Sequence, residues 1–201
     1  DAEIGSRSRS DYTLMLLQCS MGIIALLLPS LLAHRLRVMI PSSMYLLYVL
    51  FLYCAIYLGE VRSFYYNVKH WDVILHCFSG GMMGALAFSV VTLLNDAKHV
   101  PIVLSPLFVA IFAFSFSIML GVFWEIYEFV MDGWMGLNMQ KFALEGGVPL
   151  VGRAALGDTM KDLIVDAAGA LLTAVIGYIS LKYQKGWIEK LQIQRISDTS
   201  K

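Results

Sequence analysis

The sequence predicts an all-α, polytopic transmembrane bundle of about five spanning helices, with a glycine-rich loop and a short amphipathic C-terminal tail. Three observations carry that prediction. Hydrophobic residues make up 58% of the chain and charged ones only 15%, a balance too apolar for a soluble domain of 201 residues. Mean hydropathy is +0.69. The apolar residues come in long runs instead of alternating, and five runs reach roughly the 20 residues that a hydrocarbon core about 30 Å thick requires.

A polar segment, residues 1–12, precedes spans at 13–34, 43–59, 72–94, 101–132 and 158–183; a loop occupies 133–157 and a tail 184–201. The first run is long enough to span, so the N-terminus does not read as a signal peptide. The chain opens on Asp1 without an initiator methionine, as removal or omission of an upstream segment would leave it. Pro29 should kink the first span, and the second is entered through Ile40-Pro41-Ser42. The fourth is longer than needed and must tilt, kink or project. Trp71, Trp124, Tyr127 and Trp134 sit near the ends of the third and fourth runs, where an aromatic belt belongs. The loop carries six glycines and one proline but no GK[ST] and no GxGxxG, so it reads as a re-entrant, interfacial or lid-like segment and not a nucleotide loop.

Zero formal net charge argues against a nucleic-acid partner. Cys19, Cys54 and Cys77 fall in three different apolar runs, which suits buried, reduced thiols rather than a zinc or redox motif. Lysine and arginine divide almost evenly between the two faces. Arg35, Arg37, Lys98, Lys182, Lys185, Lys190, Arg195 and Lys201 share one side, and the density just after the last span assigns that side, with the C-terminus, to the cytoplasm.

Alternation of five spans brings the start of the third, the end of the fourth and the start of the fifth to one membrane face. Each of these ends bears ionisable residues that continue inward as small residues on the same stripe. In the third, Asp72, His76, Gly80 and Gly84 follow at four-residue spacing. Tracing back from Glu125 in the fourth gives Gly121, Ser117 and Ala113, with Glu128 and Asp132 on the same face. The fifth offers Asp158, Asp162 and Asp166, then Ala170 and Ala174. Small residues let helices approach closely in lipid, so the acids should point at one another. Seven carboxylates, with Lys161, Arg153 and His76 as the nearby bases, need a counter-cation. The candidate metal ligands are Asp166, Asp162, Glu125, Glu128, Asp72, His76, Asp132 and Asp158, for one or two divalent ions of Mg, Mn, Ca or Zn type.

Plainer readings compete residue by residue. Asp158 and Thr159 suit a helix N-cap, and Thr159 with Asp162 forms a capping-box pattern. Asp72, Glu128 and Asp132 could be solvated interface residues, and a lone His76 would more often be a hydrogen-bonded packing histidine. Their accumulation at one face favours a shared site.

The blocks Asp72-Val-Ile-Leu-His76-Cys-Phe-Ser79-Gly80, Trp124-Glu125-Ile-Tyr-Glu128-Phe and Asp158-Thr-Met-Lys-Asp162-Leu-Ile-Val-Asp166-Ala-Ala-Gly169 resemble the YjdF-like bacterial inner-membrane proteins from about residue 40 onward. The resemblance implies a multi-pass protein of a prokaryotic cytoplasmic membrane and hands over no substrate. Arg153, Asp162, Asp166 and Gly169 are also loosely similar to a pattern of VanZ-like envelope proteins; where those often have Asn, this chain has the more acidic Asp166.

Three functions are open on the sequence. In the first, metal at the membrane interface engages a phosphorylated lipid or lipid-linked envelope precursor. Asp162, Asp166, Glu125 and Glu128 would then be inner ligands, Asp72 and His76 would complete the shell or supply a base, and Arg153 would hold phosphate. The second is a cation or proton pathway; the third is a non-catalytic subunit of a membrane complex or a homo-oligomer. Membrane lipids are partners in all three.

Overall fold

In the computed structural model, which describes residue 7 and residues 9–95, 104–144 and 148–196, the chain is almost wholly helical. Helix α1 (Arg9–Leu36) leads through the short strand β1 (Val38–Met39) to α2 (Ser42–Leu52), which continues as a π-helix, Tyr53–Val61. A single turn, α3 (Phe64–Asn67), precedes the long helices α4 (Trp71–Asn95), α5 (Pro106–Met135) and α6 (Arg153–Lys182). A 3-10 turn, Glu189–Leu191, and strand β2 (Gln194–Arg195) follow. Among the described residues five helices are long and apolar enough to cross a membrane, with α2 and its π-helical continuation counting as one.

The expected start of the fourth span at Pro101 lies outside the described residues, as do Asp96, Lys98, the loop residues 145–147 and the tail from 197. Pro29 stands inside α1, which is helical on both sides of it. The largest boundary difference is in α6. It begins at Arg153, so Thr159 and Asp162 are interior helix residues and form no capping box. Thr159 instead uses its hydroxyl to accept a hydrogen bond from the Gln140 side chain at 2.8 Å.

The bundle is built around α4, α5 and α6, where small residues let the backbones meet. A Cβ at Gly80 would collide with the Asp166 carbonyl, and one at Gly169 with the carbonyl of Cys77. The Ser117 hydroxyl donates to the Gly80 carbonyl at 2.7 Å, which turns the α5 stripe toward α4. Ala87, Phe88, Ala113 and Ala170 are fully buried in the half of the trio away from the acids. Helix α1 lies at the periphery with Leu14 as its buried residue, so most of its apolar surface faces lipid.

Strand pairing supports the alternation of spans. Val38 pairs with Arg195 and Met39 with Gln194, antiparallel, which puts the ends of α1 and α6 on one side. The tail folds back there: Ser180 Oγ accepts from the amides of Trp187 and Ile188 and donates to Glu189, and Ile188 joins the core.

The loop between α5 and α6 forms a strap over the opposite face. Gly136 ends α5 in the left-handed conformation, and both oxygens of Asp132 accept backbone amides, from Met139 at 2.7 Å and Gln140 at 3.0 Å. Asn138 braces the next turn through the Ala143 amide and carbonyl and donates to the Tyr66 hydroxyl. Leu137 and Met139 pack on Leu14, so the strap also ties α1 to the bundle.

Candidate cation site at the three-helix junction

The stripes read from the sequence are the buried faces of their helices. On α6 these are Asp162, Asp166, Ala170 and Ala174; on α5, Ala113, Ser117, Glu125, Glu128 and Asp132; on α4, Gly80 and Gly84, with His76 partly buried above them. The acids therefore meet beneath the strap. Intramembrane carboxylates are expensive unless paired, so each one's partner is informative.

His76 is at the centre. Its Nδ1 faces Asp166 Oδ2 at 3.3 Å. Its Nε2 points the other way, 3.7 Å from Asp72 Oδ1 and 4.0 Å from Asp162 Oδ2. One ligand atom from each of Asp72, His76 and Asp162 lies within 4.8 Å of the others. Ser79 Oγ is 3.0 Å from the second oxygen of Asp166 and 2.9 Å from the His76 carbonyl. Asp166 is thus gripped by Ser79 on one side and presents its other oxygen to the imidazole. Close approach makes this geometry reachable, because a Cβ at Gly121 would stand only 2.8 Å from Asp166 Oδ2.

Glu125 continues the α5 stripe one turn beyond Gly121. It is 5% exposed, and both carboxylate oxygens are buried with no hydrogen bond of ordinary geometry; the nearby Gln140 and Thr159 side chains bond each other instead. Glu128 is also buried, and Asp158 is half-buried at the outer end of the α6 stripe. Asp132 is brought to the same face, but both its oxygens are engaged by strap amides. Arg153 is not brought in: it is the first residue of α6 and exposed, and Lys161 is exposed as well.

Two charged residues absent from the sequence-derived site join it. Lys141, on the strap, places Nζ 2.9 Å from Glu60 Oε1, with both side chains almost buried. The ammonium also lies over the rings of Tyr65 and Tyr66, at 4.8 and 5.2 Å from their centroids. Burial pulls its pKa down, but Glu60, Tyr66 and Asp72 more than reverse that, so it is held above the ordinary lysine value and stays charged. Tyr65 senses the same field. Burial first, then the charges of Asp72, Glu60, Glu128 and Asp162, push its phenol well up. The wider turn of the π-helix faces Gly59 and Glu60 inward, and a Cβ at Gly59 would strike the Tyr65 ring.

In the sequence Glu60 falls just past the span 43–59 and Lys141 within the loop 133–157. The weak signal available was a carboxylate directly following an apolar run. Ser79 lies within the Asp72–Gly80 stretch, off the four-residue stripe that marks Asp72, His76 and Gly80.

The chain matches, over residues 4–183, the family described as "Predicted membrane protein (DUF2238)", and it belongs to that family. This is the YjdF-like family that the three motif blocks resemble. An "Uncharacterized protein" of Thermotoga maritima is 29% identical over 147 residues, which cover 72% of this chain and 62% of that relative. The chain therefore spans about three fifths of the relative's length. No solved structure matches it.

Proposed function

We propose that this DUF2238 membrane protein binds a divalent cation at the junction of α4, α5 and α6, with His76 Nε2, Asp72 and Asp162 as ligands and Glu125 closing on the ion. The observation that carries the reading is Glu125, a buried carboxylate with both oxygens unpartnered on the stripe that faces the triad. An unpaired buried carboxylate is costly, and a cation offsets that cost. The donors are already close to ligating distance. Two bonds of about 2.1 Å span up to about 4.2 Å, and the separations from His76 Nε2 fall inside that limit at 3.7 and 4.0 Å. Asp166 then acts behind the ligand, orienting His76 as carboxylates commonly orient metal-bound imidazoles. A nitrogen among carboxylate oxygens suits Mn²⁺ or Zn²⁺ better than Mg²⁺ or Ca²⁺.

Trp71, the first residue of α4, and Trp124, next to Glu125 on α5, support a site near headgroup depth. Basic residues following α6 favour a cytoplasmic C-terminus in a bacterial inner membrane, with the acids toward the outer face. There a bound cation would bridge the carboxylates to the phosphate of a lipid or lipid-linked envelope precursor, positioning it and polarising it for attack. Without the cation the carboxylates would repel a phosphate. A continuous ion pathway is disfavoured by the Ala87, Phe88, Ala113 and Ala170 packing on the inner side of the acids.

Elemental analysis and Mn²⁺ or Zn²⁺ titration of the purified protein test the reading. His76→Ala should abolish binding, and Asp166→Asn should keep the stoichiometry while weakening affinity about 10–100-fold. A parent protein that binds neither ion, or an H76A variant that binds as the parent does, would refute it.

A further inference from the structure

Resting on that cation reading, we infer that Lys141 is a tethered counter-cation that limits how tightly the site holds its ion. The carboxylates of Glu60, Asp72, Glu125, Glu128, Asp158, Asp162 and Asp166 gather there, and with His76 neutral as an Nε2 ligand, Lys141 is the nearly buried cation that faces them among the described residues. A site so rich in carboxylate would bind a divalent ion very tightly and release it slowly. Lys141 occupies part of that negative field with a charge that cannot diffuse away.

Four features hold the ammonium in place. Asp132 accepts the amides of Met139 and Gln140, the residues just before it. The Gln140 side chain is anchored to Thr159 on α6. Lys141 itself adopts a left-handed backbone, with φ 50 degrees, a conformation that a non-glycine residue keeps only where its surroundings impose it. Its Nζ is fixed on Glu60, between the Tyr65 and Tyr66 rings. By contrast Arg9, Arg62, Lys69, Arg153 and Lys161 are exposed, and solvent screens them, while the half-buried Arg7 is engaged by the Val61 carbonyl and the Ser63 hydroxyl.

The role predicts a gain on removal, which loss of structure would not produce. Mn²⁺ is titrated into the full chain in detergent by calorimetry, for the parent, Lys141→Gln and Lys141→Arg. K141Q should bind Mn²⁺ at least about tenfold more tightly and release it more slowly, since a nearly buried unit charge whose field reaches Asp72 and Asp158 opposes a divalent ion by that order or more. K141R keeps the charge and should stay within about threefold of the parent. Should K141Q not fold, Lys141→Met, which keeps the stem against the tyrosines, gives the same readout. Unchanged or weaker binding by the neutral variant overturns the role of Lys141 while leaving the cation site standing. Absence of Mn²⁺ binding by the parent overturns both.

Discussion

Replacing Glu125 by methionine should stabilise the cation-free protein and abolish its response to the ion. Glu125 is 5% exposed, and neither oxygen makes a hydrogen bond of ordinary geometry although Gln140 and Thr159 lie close by, so the folded state carries a largely uncompensated desolvation cost. A buried unsatisfied polar group costs about 1–3 kcal/mol, and methionine has similar length, no charge and enough flexibility to fill the same space. For a chain of this size the gain corresponds to about 2–12 °C in melting midpoint. The assay is thermal denaturation in detergent, with EDTA and then with Mn²⁺. In EDTA the variant should melt above the parent. Saturating Mn²⁺ should raise the parent, by about 2.7 kcal/mol at a hundredfold excess over its Kd, and leave the variant nearly unmoved, so the gap narrows or reverses. A variant that melts below the parent in EDTA would show that Glu125 is compensated in the folded state. A variant that keeps the Mn²⁺ shift would remove it from the cation site. Either result refutes the reasoning, which treats Glu125 as stability given up for binding.

Two further outcomes follow from the packing. Gly169→Ala drives a methyl group into the Cys77 carbonyl, so it should cost about 1–3 kcal/mol and lower the melting midpoint as α4 and α6 separate. A variant melting with the parent would mean that the two helices can part without loss. Asp132→Asn weakens the grip on the Met139 and Gln140 amides; hydrogen exchange should rise across the strap, residues 137–144, while α4 and α6 stay protected. Equal protection of the strap in both proteins would deny Asp132 its anchoring role.

The resemblance between these stripes and the finished site has a simple basis. A helix of 3.6 residues per turn puts Asp162, Asp166, Ala170 and Ala174 on one side whatever surrounds it, and lipid penalises turning carboxylates outward. Membrane alternation then assigns three such stripes to one face. For those reasons the five spans and the membership of Asp72, His76, Glu125, Glu128, Asp158, Asp162 and Asp166 in one acidic junction were legible from residue order alone.

The roles within the junction were not, because they depend on which atoms meet across helices. The four-residue spacing puts Asp166 among the candidate ligands; packing at Gly80 and Gly121 sets its carboxylate against His76 Nδ1, on the side of the ring away from Asp72 and Asp162. Arg153 looked like the basic partner because it precedes the last span in sequence, yet α6 begins there and leaves it exposed. Lys141 and Glu60 are 81 positions apart, and no local pattern joins a loop lysine to the end of a π-helix. The sequence by itself determined the membrane class, the helices and the face that holds the charge, since those follow from local hydrophobicity and helical period. Only the tertiary structure decided which carboxylate orients, which is left unpaired and which cation is buried with them, because each of those is set by contacts between segments far apart in the chain.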